Sequence, residues 1–207
     1  MPTPTREHYH HGNLREALVE AGLALARSGG PSALTLRTAT RDVGVSASAA
    51  YRHFADRDAL VDAVAARIRD AMAARMQSFE PDAATGRERR GRDRLRAVGL
   101  GYIAFAREEP GWFETAFGTI SATPGAASSP APLLALSAAL DALVHDGDLS
   151  PEQRPGAEWP CWSAVHGFAR LWLRGPLRHL PDDAAQAAAE RTVDTVIAGL
   201  LAPAPSR

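Results

Sequence analysis

The chain has 207 residues, 45% hydrophobic and 23% charged, with a formal net charge of −1. That is the profile of an ordinary globular protein of one to two domains with room for a sizeable core. No apolar run approaches the roughly 20 residues a membrane span requires, and near-neutral charge argues against a protein that coats nucleic acid without regard to sequence. One cysteine, Cys161, excludes an internal disulfide framework and suits a reducing cytoplasm. All 23 basic residues are Arg, a usage that fits a GC-rich bacterial coding sequence and removes any mechanism needing a catalytic Lys.

The first residues, MPTPTREHYHHGN, contain no apolar segment and are not expected to act as a secretory signal. His8, His10 and His11 crowd together, yet no Cys or carboxylate spacing completes a zinc site, so they read as a solvated arm. Asn13, with Glu16 three residues on, predicts a capping-box start to a first helix. Leu14, Leu18, Ala21 and Leu25 mark its apolar face, and Gly29-Gly30-Pro31 predicts its end.

Residues 36–60, LRTATRDVGVSASAAYRHFADRDAL, read as a helix-turn-helix followed by a further helix. Thr35 is the expected cap of the second helix, Val43-Gly44-Val45 the turn, and Ser46 the cap of a short third helix running to about His53. Ala47, Ser48 and Ala49 are small enough to lie deep in a groove. Tyr51, Arg52, His53 and Arg57 add the hydroxyl, ring N–H and guanidinium groups that grip phosphate oxygens. Phe54 reads as a core aromatic. Residues 1–60 hold seven Arg against six acids, so a DNA-reading role rests on local placement of charge.

Asp56 is the expected cap of a fourth helix, in which Leu60, Val64, Ile68 and Met72 recur every four residues as far as about Phe79. EPDAATGRERRG (80–91) reads as an exposed connection. A helix is predicted over 92–108, a short aromatic one from Pro110, and a mobile loop over 119–132. Further helices are predicted over 133–144, 159–175 and 181–201. Strand-like alternation is missing throughout, so the fold class is all-α. Tyr102, Phe105, Trp112, Phe113, Phe117, Trp162 and His166, with Phe168 and Trp172, concentrate in the second half. Each fits an ordinary core; together, the first seven are candidates to line a ligand pocket, with His166 as its polar handle.

YHHGNLREALVEAGLAL, the TLR opening the second helix, GVS at the turn and AYRHFADRDAL together resemble the N-terminal domain of TetR-family regulators. YIAFAREEPGWFETAFG and WSAVHGFARLWLRG resemble a C-terminal subgroup of that family carrying a W-x-x-x-H-G signature, with Trp162, His166 and Gly167 in place. Four positions depart from the family pattern. Ala39-Thr40 stands for the usual Ile-Ala, Arg57 for the usual Lys, and Val43 for a small residue. Thr40 is expected to bond the carbonyl four residues earlier.

The resemblance implies a DNA-binding domain with its arm over 1–60, a connecting helix over 61–79, a regulatory and dimerisation domain over 80–202, and a tail over 203–207. It implies DNA contact by Thr35, Arg37, Ser46, Ser48, Tyr51, His53 and Arg57. Base reading would fall to Arg37, Ala47, Ser48, Ala49 and Arg52, with Arg37 the guanine reader. It further implies a cytoplasmic homodimer joined through its last two helices, about 159–175 and 181–201. This dimer would bind a near-palindromic double-stranded operator, mostly as a repressor, and be released by a small apolar or aromatic effector. Gly167, costly in mid-helix by about 1 kcal/mol, would admit close approach of another helix.

No catalytic residue, cofactor or metal is expected. A small-molecule-transforming helical enzyme is the competing class, but there is no Gly-rich phosphate loop and no supported Ser-His-Asp order. Asp141 and Asp146 near His145 read as solvated helix-end charges, and Cys161 as a buried, inert thiol.

Overall fold

The computed structural model describes residues 14–79, 91–118 and 131–202, and these are helical with no strand among them. The helices are α1 (Leu14–Ala33), α2 (Leu36–Val43), α3 (Ala47–Tyr51), α4 (Arg57–Ser78), α5 (Gly91–Glu108), α6 (Pro110–Phe117), α7 (Ala131–His145), α8 (Glu158–Arg174) and α9 (Asp182–Leu200). A short 3-10 turn, Pro176–His179, links the last two. The histidine arm, the Asn13 cap, the tail over 203–207 and most of the two expected loops lie outside the described residues. Gly91 already belongs to α5, and Ala131 and Pro132 to α7, so both loops are shorter at those ends than the sequence suggests.

Local chemistry sets the boundaries of α2, α3 and α4. Thr35 accepts a hydrogen bond from the Thr38 N–H, and the Thr38 hydroxyl accepts one from the Thr35 N–H, both at 3.1 Å. Gly44 ends α2 at φ 76°, a left-handed conformation that turns the chain sharply at little cost only without a Cβ. Ser46 caps α3 through the Ala49 N–H, and Asp56 caps α4 through the Ala59 N–H at 2.8 Å.

Three details differ from the sequence reading, and a fourth, at Glu16, adds to it. The regular path of α1 breaks at Gly30 (φ 63°), but one more turn follows, with Pro31 seated inside it. Proline at the start of a turn forfeits no needed N–H, so Pro31 restarts the helix instead of stopping it. Glu16 forms an ion pair with Arg67 of α4, so its carboxylate fastens α1 to α4. α3 stops at Tyr51, two residues before His53. The Thr40 hydroxyl donates to the carbonyl of Arg37, three residues earlier, at 3.1 Å.

The core runs through both halves. Leu60, Val64, Ile68 and Met72 of α4 are all fully buried. α5 is the central strut, packed by α4, α6, α7, α8 and α9, and Leu95, Val98, Tyr102 and Phe105 are buried along it. α6 wedges between α5 and α1. A Cβ on Gly111 would lie 2.4 Å from the Ala26 carbonyl oxygen, so α6 can press this closely on α1 only with glycine there.

Candidate functional site

α2 and α3 form an exposed corner held from below by a buried seam. Ala39, Ala50 and Phe54 face the core, with Ala39 and Ala50 fully buried. The opposite side presents Arg37 on α2, Ala47 and Ser48 at the start of α3, and Tyr51, Arg52 and His53 at its end, all exposed, with Ala49 half-buried beside them. Neither Arg37 nor Arg52 pairs with a carboxylate of any described residue. Ser46 and Ser48 share a hydroxyl contact of 3.0 Å. Thr35 and Ser46 each cap a helix, so their side-chain oxygens already accept a backbone N–H.

Arg57 is placed differently. Its Nε donates to the Leu34 carbonyl at 2.8 Å, and a terminal nitrogen donates to the Pro31 carbonyl. The guanidinium therefore ties the start of α4 to the corner between α1 and α2. Arg15 was not among the residues singled out from the sequence. Its guanidinium lies over the Phe54 ring at 5.2 Å, beside the Tyr51–His53 segment. The available signal was an exposed basic residue in the first turn of α1, which carries little weight alone.

The aromatic residues of the second half separate into two groups. Tyr102, Phe113, Phe117, Trp162 and His166 pack as one cluster joining α5, α6 and α8, with ring centroids 5.1–6.3 Å apart. The Tyr102 hydroxyl lies 2.9 Å from His166 Nδ1. Burial pushes the Tyr102 hydroxyl far above its ordinary pKa. Burial first, and then the charge of Arg170, lower that of His166, so both groups stay neutral near pH 7.

Phe105 and Trp112 instead stack on each other towards α1. The Trp112 ring N–H donates to the Leu23 carbonyl at 2.8 Å, and Arg27 lies over its ring. Through Trp112, α6 is held to α1, the helix that leads into the corner of α2 and α3.

A small cavity of about 30 Å³ opens beside the cluster between α5, α8 and α9. Of the sequence candidates only Tyr102 and Trp162 line it. Most of its wall is small and aliphatic, including Val98, Gly99, Ala164, Val165, Val193 and Val196, together with Cys161. Burial pushes the Cys161 thiol up to about 11, leaving it protonated and unreactive near neutral pH. At Gly167 a Cβ would meet nothing within 4 Å among the described residues, so no other described helix approaches there. No His, Cys, Asp and Glu cluster able to hold a metal occurs among the described residues.

Residues 18–64 match the family of bacterial regulatory proteins called the tetR family, and residues 95–196 match the tetracyclin repressor-like C-terminal domain. Among solved structures, a protein of unknown function from Rhodococcus sp. RHA1 is 30% identical, with a TM-score of 0.68 over 95% of this chain and 100% of that one. A TetR variant from Acinetobacter baumannii AYE in complex with minocycline is 19% identical, with a TM-score of 0.62 over 88% and 93%. A TetR transcriptional regulator from Streptomyces coelicolor is 21% identical, with a TM-score of 0.61 over 90% and 93%. No curated protein matches. The two domain matches in family order, on an all-helical frame with a helix-turn-helix at its N-terminal end, place this chain in the TetR family of bacterial transcription regulators, a DNA-binding protein rather than an enzyme.

Proposed function

We propose that the chain is a ligand-responsive cytoplasmic repressor that binds a near-palindromic operator as a homodimer and leaves it when a small apolar or aromatic effector binds. The observation that carries this reading is the corner of α2 and α3, where Arg37, Tyr51, Arg52 and His53 stand exposed around the small residues Ala47 and Ser48. Small residues admit the helix to the major groove, and the longer ones around them reach phosphates or base edges. Arg37 is the proposed guanine reader. Thr35, Ser46, Ser48, Tyr51, Arg52 and His53 are proposed to set register on the backbone, with Ala47 and Ala49 against thymine methyls. Arg57 is proposed to act chiefly by fixing the corner on which these groups stand.

α8 and α9 are the proposed dimer-forming pair. Trp159 and Leu171 of α8 are large, apolar and exposed, and Gly167 is open between them. A twofold dimer would set its two α3 helices in successive major grooves, about 34–36 Å apart. Tyr102 faces the cavity and also packs on Phe113 and Phe117 of α6, while Trp112 of α6 grips α1. A ligand in the cavity can therefore bias the position of the DNA-reading corner, with a coupling typically of about 1–3 kcal/mol. The minocycline complex of the Acinetobacter baumannii structure is a precedent for a small-molecule ligand on this fold.

The test is to incubate purified protein with fragmented genomic DNA and sequence what it retains. Enrichment of a near-palindrome with two half-sites one helical turn apart is the expected result. Retention without sequence preference, at low salt and after removal of co-purified ligand, would overturn the reading.

A further inference from the structure

The two acids of α1, Glu16 and Glu20, both pair with Arg67 of α4. At the corner itself Asp42 pairs with Arg41 and Asp58 with Arg57, each at 3.5 Å, while Asp56 caps α4. None of them reaches Arg15, which stands exposed in the first turn of α1 with no carboxylate or hydrogen-bond partner among the described residues. We propose that Arg15 is a DNA contact supplied by α1, gripping a backbone phosphate beside the end of α3. The proposal rests on the DNA-binding reading above and extends the contact surface from α2 and α3 to a third helix.

The guanidinium of Arg15 has a set place. Its central carbon lies over the Phe54 ring, 5.2 Å from the centre. Leu18 and Val19, three and four residues further along the same side of α1, are buried. The stem of Arg15 therefore follows the edge of the core while its head reaches water. Phe54 is in turn fixed to α3, because its N–H and that of His53 donate to the Ala50 carbonyl at 3.0 and 2.9 Å. Arg15 is thereby held beside Tyr51, Arg52 and His53, all of them exposed. A guanidinium lying over a ring keeps N–H groups free at its edge, where they can fork onto phosphate oxygens. Such a contact sets register and carries no sequence information, so it strengthens operator and random DNA alike.

The test titrates the full chain with a random duplex over a range of salt. Arg15→Met keeps an apolar stem over Phe54 and removes the charge, whereas Arg15→Lys keeps the charge. For Arg15→Met the slope of log affinity against log salt should become shallower by about 0.9 per protomer bound. For Arg15→Lys it should stay at the wild-type value, and both variants should keep the wild-type denaturation midpoint. An unchanged slope in Arg15→Met, or a lowered midpoint as its only effect, would make Arg15 a cover for Phe54 and overturn the proposal. Should Arg15→Met misfold, the wild type decides. Random duplex is expected to slow phenylglyoxal modification of Arg15 as it slows that of Arg37, but not that of Arg94, exposed on α5. Protection of Arg37 without protection of Arg15 would overturn the proposal. A shallower slope in Arg15→Met without enrichment of any near-palindrome by the wild type keeps the phosphate contact and overturns the operator reading. Enrichment together with an unchanged slope does the reverse.

Discussion

Two tyrosines mark the difference between the ends of this molecule. Tyr51, at the close of α3, is 58% exposed and has no ring neighbour among the described residues. Tyr102, in the middle of α5, is 0% exposed, touches four aromatic rings and meets His166 through its hydroxyl. The arginines divide similarly. Among the described residues Arg37 and Arg52 stand unpaired at the corner, whereas Arg75, Arg96 and Arg174 each fasten one helix to another through a carboxylate and Arg154 bridges Asp141 of α7 and Glu158 of α8. Packing accounts for the second set and leaves the first without an internal job. A large aromatic and two guanidinium groups held in water, on a corner whose underside is tightly packed, suit an external polyanion.

The comparison can be broken by showing that the buried set matters to DNA directly, or that the exposed set matters to folding. The largest expected effect is on stability. Phe113→Ala removes a fully buried ring from the cluster and should cost about 3–5 kcal/mol, read as a lowered denaturation midpoint. Its DNA specificity, measured where the variant is still folded, should be retained. Arg57→Ala should come next, at about 1.5–3 kcal/mol, because two charge-assisted bonds to the corner carbonyls are lost. Unchanged stability together with a flatter salt dependence of DNA binding would show that Arg57 works on phosphate instead. Tyr102→Phe should cost about 1 kcal/mol by removing the hydroxyl that meets His166.

The smallest effect is on pH dependence. His166 has a folded pKa below its unfolded one, so between the two values the unfolded chain holds more protons. The stabilisation from neutral His166 is therefore complete above the unfolded value of about 6.5 and declines as pH falls towards the folded one. Denaturation midpoints taken from pH 7.5 down to 5.5 should fall more steeply for the wild type than for His166→Gln. Equal slopes would remove His166 from the account.

Much of the DNA-binding half was legible because its signals are local. Thr35, Ser46 and Asp56 cap helices through their own neighbours, Gly44 takes the backbone angle its turn requires, and the four-residue repeat from Leu60 to Met72 is one continuous buried stripe. The break at Gly30 was legible as well. The extra turn after it was not, because Pro31 is equally compatible with stopping a helix and with starting one. The hydrogen bonds of Arg57 were hidden because its partners, the Pro31 and Leu34 carbonyls, are far away in sequence.

The second half was legible as helices but less so as a site. A period of 3.6 residues says which side of a helix is apolar, not which helix it meets. Phe105 and Trp112 therefore went with the other aromatics, although they pack towards α1. The cavity itself is lined by Val98, Gly99, Ala164 and Val193, residue types that carry no chemical signal in a sequence. Only their arrangement around an unfilled volume makes them a candidate site.

The central claim is that the exposed corner reads base sequence while the rest of the chain supports it. Titrating an operator duplex and a random duplex of equal length with wild type and with Arg37→Ala, at two salt concentrations, tests it most directly. If Arg37 reads a guanine, the variant should lose about 1–3 kcal/mol of preference for the operator, with the random duplex much less affected. Equal losses on both duplexes would make Arg37 a phosphate contact and contradict the assignment of base reading to this corner.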